Sequence, residues 1–191
     1  MHLKKIFMSG FKSISNTHPQ TVFFEHELTT FIGHNGTGKS TAMESLNKLF
    51  SVDQSLRGLS KKDFHNANDE CHDTNKSLVI EAWFVFHQKD KISTPPLIEH
   101  LTIDGENGEI IFRVRLEGKL SFDENPMGDI DEDIWIVSTS NKVIEDSDKQ
   151  KLSSAVRNSI QVSYIPATRD PLLQLKYSSK AILGRLLKAI E

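Results

Sequence analysis

The sequence contains a single cysteine, Cys71, among its 191 residues. One thiol excludes an internal disulfide framework and is typical of proteins in a reducing compartment. No apolar run approaches the roughly 20 residues that a transmembrane helix needs. The N-terminus, residues 1–8, also lacks the long apolar core of a signal peptide. We therefore expect a cytoplasmic protein that does not associate with a membrane.

The chain also lacks a large excess of charge of one sign. It has 23 Lys and Arg against 26 Asp and Glu, which gives a net charge of −3. This balance excludes a module that is basic throughout, although it leaves room for a local basic patch. The length suffices for one domain, or for one large lobe, with a core of its own.

What the chain does have is a glycine-rich segment, Gly33–Ser40, with the sequence GHNGTGKS. It fits the phosphate-loop pattern of Gly, four residues and then Gly-Lys-Ser. Leu28–Ile32, just before it, is predicted to be a short buried strand. Thr41–Phe50, just after it, is predicted to be a helix with one apolar face formed by Ala42, Leu46, Leu49 and Phe50.

The residue types in this segment suit a nucleotide. Glycines let a phosphate chain approach the backbone, and the N–H groups at a helix N-terminus attract its charge. Lys39, the predicted catalytic residue, would reach the β- and γ-phosphates, and Ser40 would ligate Mg²⁺. We therefore predict ATP and Mg²⁺ as cofactors, and a nucleotide-binding set of Asn35, Gly36, Thr37, Gly38, Lys39, Ser40 and Thr41.

The rest of the chain is rich in strand patterns. Strands are predicted over His2–Met8, Thr21–Phe24, Leu78–His87, Ile110–Leu116, Ile134–Ser138 and Ile160–Ile165, with a helix over Ser147–Ser159. Within Ile110–Leu116, the apolar and arginine side chains alternate between the two faces. His65, Cys71 and His72 match no zinc spacing, and the acidic run 123–133 lacks a calcium-loop pattern, so both are expected to be solvated loops.

A first strand that ends in Phe11-Lys12-Ser13-Ile14, followed by the loop at residues 33–40, resembles an ABC-type ATPase head of the DNA-repair and SMC-like branch. The resemblance implies an α/β fold with a P-loop ATPase lobe I over residues 1–170. That lobe would contain a mixed sheet and an antiparallel β-layer. Residues 171–191 would begin a truncated, helical second lobe. In such heads the equivalent of Lys12 lies beside the nucleotide phosphates, so Lys12 joins the predicted set; alternatively, Lys12 is an ordinary surface lysine.

The segment Tyr164–Pro171, with the sequence YIPATRDP, narrows the resemblance. Ala167 stands where ABC-type heads usually have a glutamine. With that departure, the segment and the residues after it resemble the overcoming-lysogenization-defect (OLD) family of ATP-dependent endonucleases. Arg169 is then expected to face a phosphate or an opposite head. Asp170 would face Mg²⁺ through water or cap a helix; alternatively, both residues serve only the fold.

The OLD resemblance implies an ATPase head that pairs with a second head and gates DNA cleavage by a C-terminal Toprim domain, in phage defence and with possible partner defence proteins. The chain contains neither a signature motif nor an apolar strand ending in Asp-Glu. We therefore expect a fragment or natural truncation with very slow ATP turnover. Two alternatives stay open: an SMC-like DNA-repair ATPase head, and a nucleotide-binding switch without useful turnover.

Overall fold

A seven-stranded antiparallel sheet forms the centre of the protein. The computed structural model describes residues 1–67, 74–86, 95–105, 108–123 and 125–164. The strand order is β2-β1-β3-β5-β6-β7, with β4 beside the start of β5. The strands are β1 His2–Ser9, β2 Gln20–Phe23, β3 Lys76–Phe86, β4 Thr102–Ile103, β5 Ile110–Ser121, β6 Asp129–Val137 and β7 Lys149–Lys151. The helices are α1 Lys39–Phe50, α2 Pro95–Ile98 and α3 Ser154–Ser159.

The alternation of side chains along the central strands creates the core. Ala82 of β3 lies opposite Ile6 of β1 and Val114 of β5. Successive side chains in a strand point to opposite faces, so every second residue of these strands faces the same side. The predicted grouping of Phe112, Val114 and Leu116 on one face is confirmed, because all three are fully buried in the core.

Helix α1 covers the apolar face of the sheet. The residues predicted to share its apolar face, Ala42, Leu46, Leu49 and Phe50, are all buried. The Phe50 ring packs edge-on against Phe84 of β3 at 5.5 Å between centroids. At the end of α1, Arg157 of α3 donates to the carbonyl oxygens of Lys48 and Leu49, which satisfies acceptors that have no partner within the helix.

The opposite face of the sheet is closed by charged and aromatic side chains. Glu81 accepts from Arg113 at 2.8 Å and from Arg115 at 2.9 Å. Trp83 lies between two cations, with Lys5 Nζ 3.8 Å and the Arg113 guanidinium carbon 4.0 Å from the ring centroid. Burial lowers the pKa of Arg113, although Glu81 opposes that shift. The arginine positions that alternate with the apolar ones therefore form a second, polar core.

The predicted buried strand Leu28–Ile32 is wrong. The structure assigns no strand to these residues, and Leu28 and Ile32 are 76% and 93% exposed. Only Phe31 packs inward, edge-on to Phe24. A strand needs a hydrogen-bonding neighbour, and no described strand pairs with this segment. The predicted mixed sheet is likewise not seen in the described residues, because every strand pair there is antiparallel.

Three other predicted segments differ from the structure. The second half of the acidic run belongs to β6 rather than to a loop, because its carboxylates meet lysines: Asp131 lies opposite Lys119, and Asp133 pairs with Lys151 at 2.9 Å. The helix predicted over residues 147–159 is confined to α3, since β7 occupies the start of that stretch. The described part of the strand predicted from Ile160 makes only one bridge, between Val162 and Ser51.

Several predictions fall outside the part of the chain that the structure describes. They are Ala167, Arg169, Asp170, the predicted second lobe at residues 171–191, and the pair Cys71 and His72. Among the helices that are described, none is long and apolar enough to cross a membrane.

Candidate functional site

The glycine-rich loop runs from Gly33 directly into α1. Gly36 has φ 88° and Gly38, which precedes the first helical residue, has φ 85°. A Cβ atom at Gly36 would meet nothing within 4 Å. The position therefore requires glycine for its left-handed backbone conformation and not for lack of space.

Lys39 folds back over this loop. Its Nζ donates to the carbonyl oxygens of Gly33 at 2.8 Å and His34 at 2.6 Å, and it lies 3.4 Å from Thr37 Oγ1. Thr37 Oγ1 also donates to His34 O at 3.0 Å. The ammonium group is thus surrounded by neutral oxygen acceptors, which an anionic oxygen would replace with a gain in electrostatic energy.

The first turn of α1 provides further groups for an anion. Gly38 has no side-chain cap, and the N–H groups at the start of a helix carry partial positive charge. Ser40 is exposed at this end. Thr41 is buried, and its Oγ1 lies 3.4 Å from Ser13 Oγ. The hydroxyl of Ser40 is therefore open to a ligand, whereas that of Thr41 contacts the turn that follows β1.

A cavity of about 370 Å³ opens beside the loop. Its wall is held by hydrogen bonds: His18 N–H donates to Ser15 Oγ at 3.1 Å, and Gln20 Nε2 donates to the His18 carbonyl at 3.3 Å. The lining combines apolar side chains, hydroxyl and amide groups, and loop backbone: Met8, Ser13, Ile14, Ser15, His18, Gln20, Val22, Gly36, Thr37 and Gly38. Such a lining suits a ligand with one flat apolar part and several polar groups.

Lys12 directly precedes Ser13 of this cavity wall and lies in a constrained turn. It has φ 51°, unusual for a residue with a side chain. Its N–H donates to the Asp63 carbonyl at 2.9 Å, and its carbonyl accepts from His65 Nδ1 at 2.7 Å. Its ammonium forms ion pairs with Glu44 of α1 and, at 3.9 Å, with Asp63. Burial lowers the pKa of Lys12, although Asp63 opposes the shift.

Asp63, the other carboxylate beside Lys12, has several partners of its own. Its Oδ2 accepts from Ser60 N–H and Ser60 Oγ, both at 2.8 Å, and pairs with Lys48 Nζ at 2.8 Å. Burial alone would raise the pKa of Asp63. The hydrogen bonds from Lys48 and Ser60 outweigh that effect and lower the pKa below its ordinary value. Asp63 is therefore ionised and well satisfied without Lys12.

The structure brings most of the predicted residues together. Asn35, Gly36, Thr37, Gly38, Lys39 and Ser40 form one continuous loop and helix start, and Lys12 reaches α1 one turn beyond Ser40. Four residues around Lys12 were not predicted from the sequence: Ser13, Glu44, Asp63 and His65. A signal existed only for Asp63, since Ser60-Lys61-Lys62-Asp63 fits a helix-capping pattern.

Comparison with known proteins agrees with this arrangement. No curated protein matches the chain. The family model described as AAA ATPase domain, AAA_15, matches residues 1–189, which include the whole loop and α1. Domains of this type bind nucleotide, typically with Mg²⁺. Because the match spans nearly the whole sequence, the chain belongs to the AAA_15 family of AAA ATPase domains.

Proposed function

We propose that this domain binds ATP and Mg²⁺ at residues 33–41 and acts as the ATPase unit of a DNA-cleaving protein. One observation carries the nucleotide site. The loop has the left-handed glycine conformations and the uncapped helix start that a phosphate chain requires, with the Lys39 ammonium among the loop oxygens.

The residues present fit ATP in three parts. The loop N–H groups, the start of α1 and Lys39 would hold the phosphates, and the exposed Ser40 hydroxyl would hold Mg²⁺, which neutralises phosphate charge when bound. The cavity beside Gly36–Gly38 would take the nucleoside, because it offers apolar side chains and polar groups together. Lys12 reaches α1 one turn beyond Ser40, through its ion pair with Glu44.

Substitution of Lys39 tests the nucleotide site. In Lys39→Ala, binding of a fluorescent ATP analogue with Mg²⁺ is expected to weaken at least ~10-fold, or about 1.4 kcal/mol. Lys62→Ala is a suitable control, because Lys62 is an exposed lysine that precedes Asp63 and does not line the loop. Equal affinity in Lys39→Ala and the parent, or equal weakening in the control, would contradict the proposal.

We expect very slow ATP hydrolysis by this chain. The groups that activate water and close an ABC-type site, an Asp-Glu pair after an apolar strand and a signature motif, do not occur in the sequence. Sustained turnover near ~1 s⁻¹, an ordinary enzyme rate, that disappears in Lys39→Ala would contradict this expectation.

The finer assignment is to an OLD-type endonuclease in the cytoplasm. It is supported by the resemblance of Tyr164–Pro171 to that family, and it includes pairing of two heads, a Toprim nuclease, a role in phage defence and contacts with partner defence proteins.

ATP-dependent nicking of plasmid DNA by the natural gene product, lost in Lys39→Ala, is the expected result. Light scattering with and without ATP tests head pairing. Tight ATP binding without cleavage would instead favour a nucleotide-binding switch.

A further inference from the structure

The Lys12 ammonium pairs with two carboxylates of the protein itself, although it lies next to the proposed phosphate site. Its ammonium pairs with Glu44, on the helix turn after Ser40, and lies 3.9 Å from Asp63. The next residue, Ser13, contacts Thr41 in the first turn of α1. Both Lys12 and its neighbour therefore contact α1 within about one and a half turns, or ~7.5 Å along the axis, of its N-terminus.

The two carboxylates differ in how much they depend on Lys12. Asp63 is 5% exposed at its side chain and keeps Lys48 and both groups of Ser60 whether or not Lys12 is present. Glu44 is 36% exposed at its side chain. If Lys12 moved away, Asp63 would stay satisfied and Glu44 would be left to water.

The backbone of Lys12 is fixed, so any movement is confined to its side chain. Its N–H and carbonyl are bonded to Asp63 and His65, and β1 ends just before the turn. The side chain is 29% exposed, which leaves it a path to solvent. The distance between neighbouring turns of α1 is comparable with the length of a lysine side chain.

We infer that Glu44 is an internal competitor for nucleotide: it holds the Lys12 ammonium one helix turn from the phosphate site, and phosphate must displace it. The inference rests on the proposed nucleotide site. Glu44 is then a positioning residue that sets nucleotide affinity without touching the nucleotide. Partial burial lowers the pKa of Lys12, and an ammonium that is partly withdrawn from water favours an anionic partner, whether carboxylate or phosphate.

A double-mutant cycle tests this inference. In Glu44→Gln, affinity for the fluorescent ATP analogue is expected to rise ~3- to 5-fold. This is the gain in affinity expected if ATP no longer has to break a partly exposed ion pair. Lys12→Ala should weaken binding. In Lys12→Ala/Glu44→Gln, the gain from the glutamine should vanish, because there is no ammonium to release.

The control is a second ion pair of the same exposure. Lys4 and Glu109 are 34% and 36% exposed, compared with 29% and 36% for Lys12 and Glu44, and their pair involves neither the loop nor α1. Glu109→Gln should leave ATP affinity unchanged. Circular dichroism and melting curves check that each variant is folded, and Glu44→Ala replaces Glu44→Gln if the latter is not.

Each alternative outcome overturns the inference. An equal gain in the parent and the Lys12→Ala background would mean that any lost negative charge near the site helps binding. No change, or weaker binding, in Glu44→Gln would mean that Glu44 does not compete. These failures differ from failure of the nucleotide site itself, which is shown by unchanged affinity in Lys39→Ala.

Discussion

The loop Gly33–Lys39 and the turn Gly10–Ile14 meet at the same end of α1 but hold their lysines differently. Lys39 donates to neutral oxygens of its own loop, all within six residues of it. Lys12 pairs with two carboxylates from other parts of the chain. The loop is largely exposed, whereas Phe11 and Ile14 of the turn are buried in the core.

Because of this difference, we expect the loop to govern ligand affinity and the turn to govern the stability of the fold. The loop makes few contacts with the rest of the fold, so changes there should affect ligand affinity more than folding. The turn is bonded to Asp63 and His65, and it contributes Phe11 to the core, so changes there should affect folding first. Matched substitutions in the loop and in the turn should therefore affect stability and affinity in opposite proportions.

The largest effect is expected from Gly10→Ala. A Cβ atom at Gly10 would lie 2.1 Å from the Ser77 carbonyl oxygen and 2.6 Å from Asn16 Oδ1, at φ 65°. Overpacking against backbone and the left-handed conformation together should lower the free energy of unfolding by about 3 kcal/mol. Urea denaturation measures the loss, and a variant as stable as the parent would mean that this turn is not tightly packed.

Asp63→Asn should have the next largest effect. It removes the negative charge from the ion pair with Lys48, whose side chain is only 14% exposed, and weakens the acceptor for Ser60. Lys48 would keep the Gly58 carbonyl as an acceptor at 2.7 Å, but the loss of its carboxylate partner should cost about 2 kcal/mol of unfolding free energy. Asp146→Asn is the control, since the fully exposed Asp146 pairs with Lys149 at 3.8 Å and should contribute nothing measurable.

Acid should destabilise the turn by protonating Asp63, with a smaller effect on the free energy of unfolding than the Asp63→Asn substitution. The pKa of Asp63 is lower in the folded protein than in the unfolded chain, so its contribution is fully present above the unfolded value of about 3.9. The contribution is then lost as pH falls through the folded pKa. Urea midpoints measured from pH 7 down to pH 3 should fall less steeply below pH 4 in Asp63→Asn than in the parent. Parallel curves would contradict the assignment.

The smallest effect on folding is expected from Gly36→Ala. Gly36 has φ 88° but open space around it, so the strain should cost only about 1 kcal/mol. ATP affinity should nevertheless fall, because the loop would lose the conformation that points its N–H groups at phosphate. Stability loss as large as in Gly10→Ala, with affinity unchanged, would reverse the contrast between the loop and the turn.

Segments with strong local patterns were predicted well. The motif GHNGTGKS located the loop, and the spacing of Ala42, Leu46, Leu49 and Phe50 located the buried face of α1. The alternation from Ile110 onward separated core residues from the Glu81–Arg113 network, although it gave no sign that Arg113 is 2% exposed. A buried arginine depends on acceptors from distant residues, which periodicity does not report.

Segments whose state depends on neighbours were predicted poorly. Leu28–Ile32 has the composition of a strand, yet it has no pairing partner in the described residues, and Leu28 and Ile32 are exposed. Asp129–Asp133 has the composition of a loop, yet it pairs with β5, which places Lys119 opposite Asp131, and Asp133 forms an ion pair with Lys151 of β7. Composition measures the preference of a residue for a conformation, whereas strand formation requires a second segment.

Sequence patterns alone located the glycine-rich loop, the helix that follows it and the alternating faces of the central strands, because each depends on residues close together in the chain. The contacts of Lys12, in contrast, became known only from the folded chain. Its partners Glu44 and Asp63 lie far along the chain, and His65 bonds it across 53 residues. Those contacts exist because β1, α1 and the segment 60–65 pack together, and no local pattern encodes that packing.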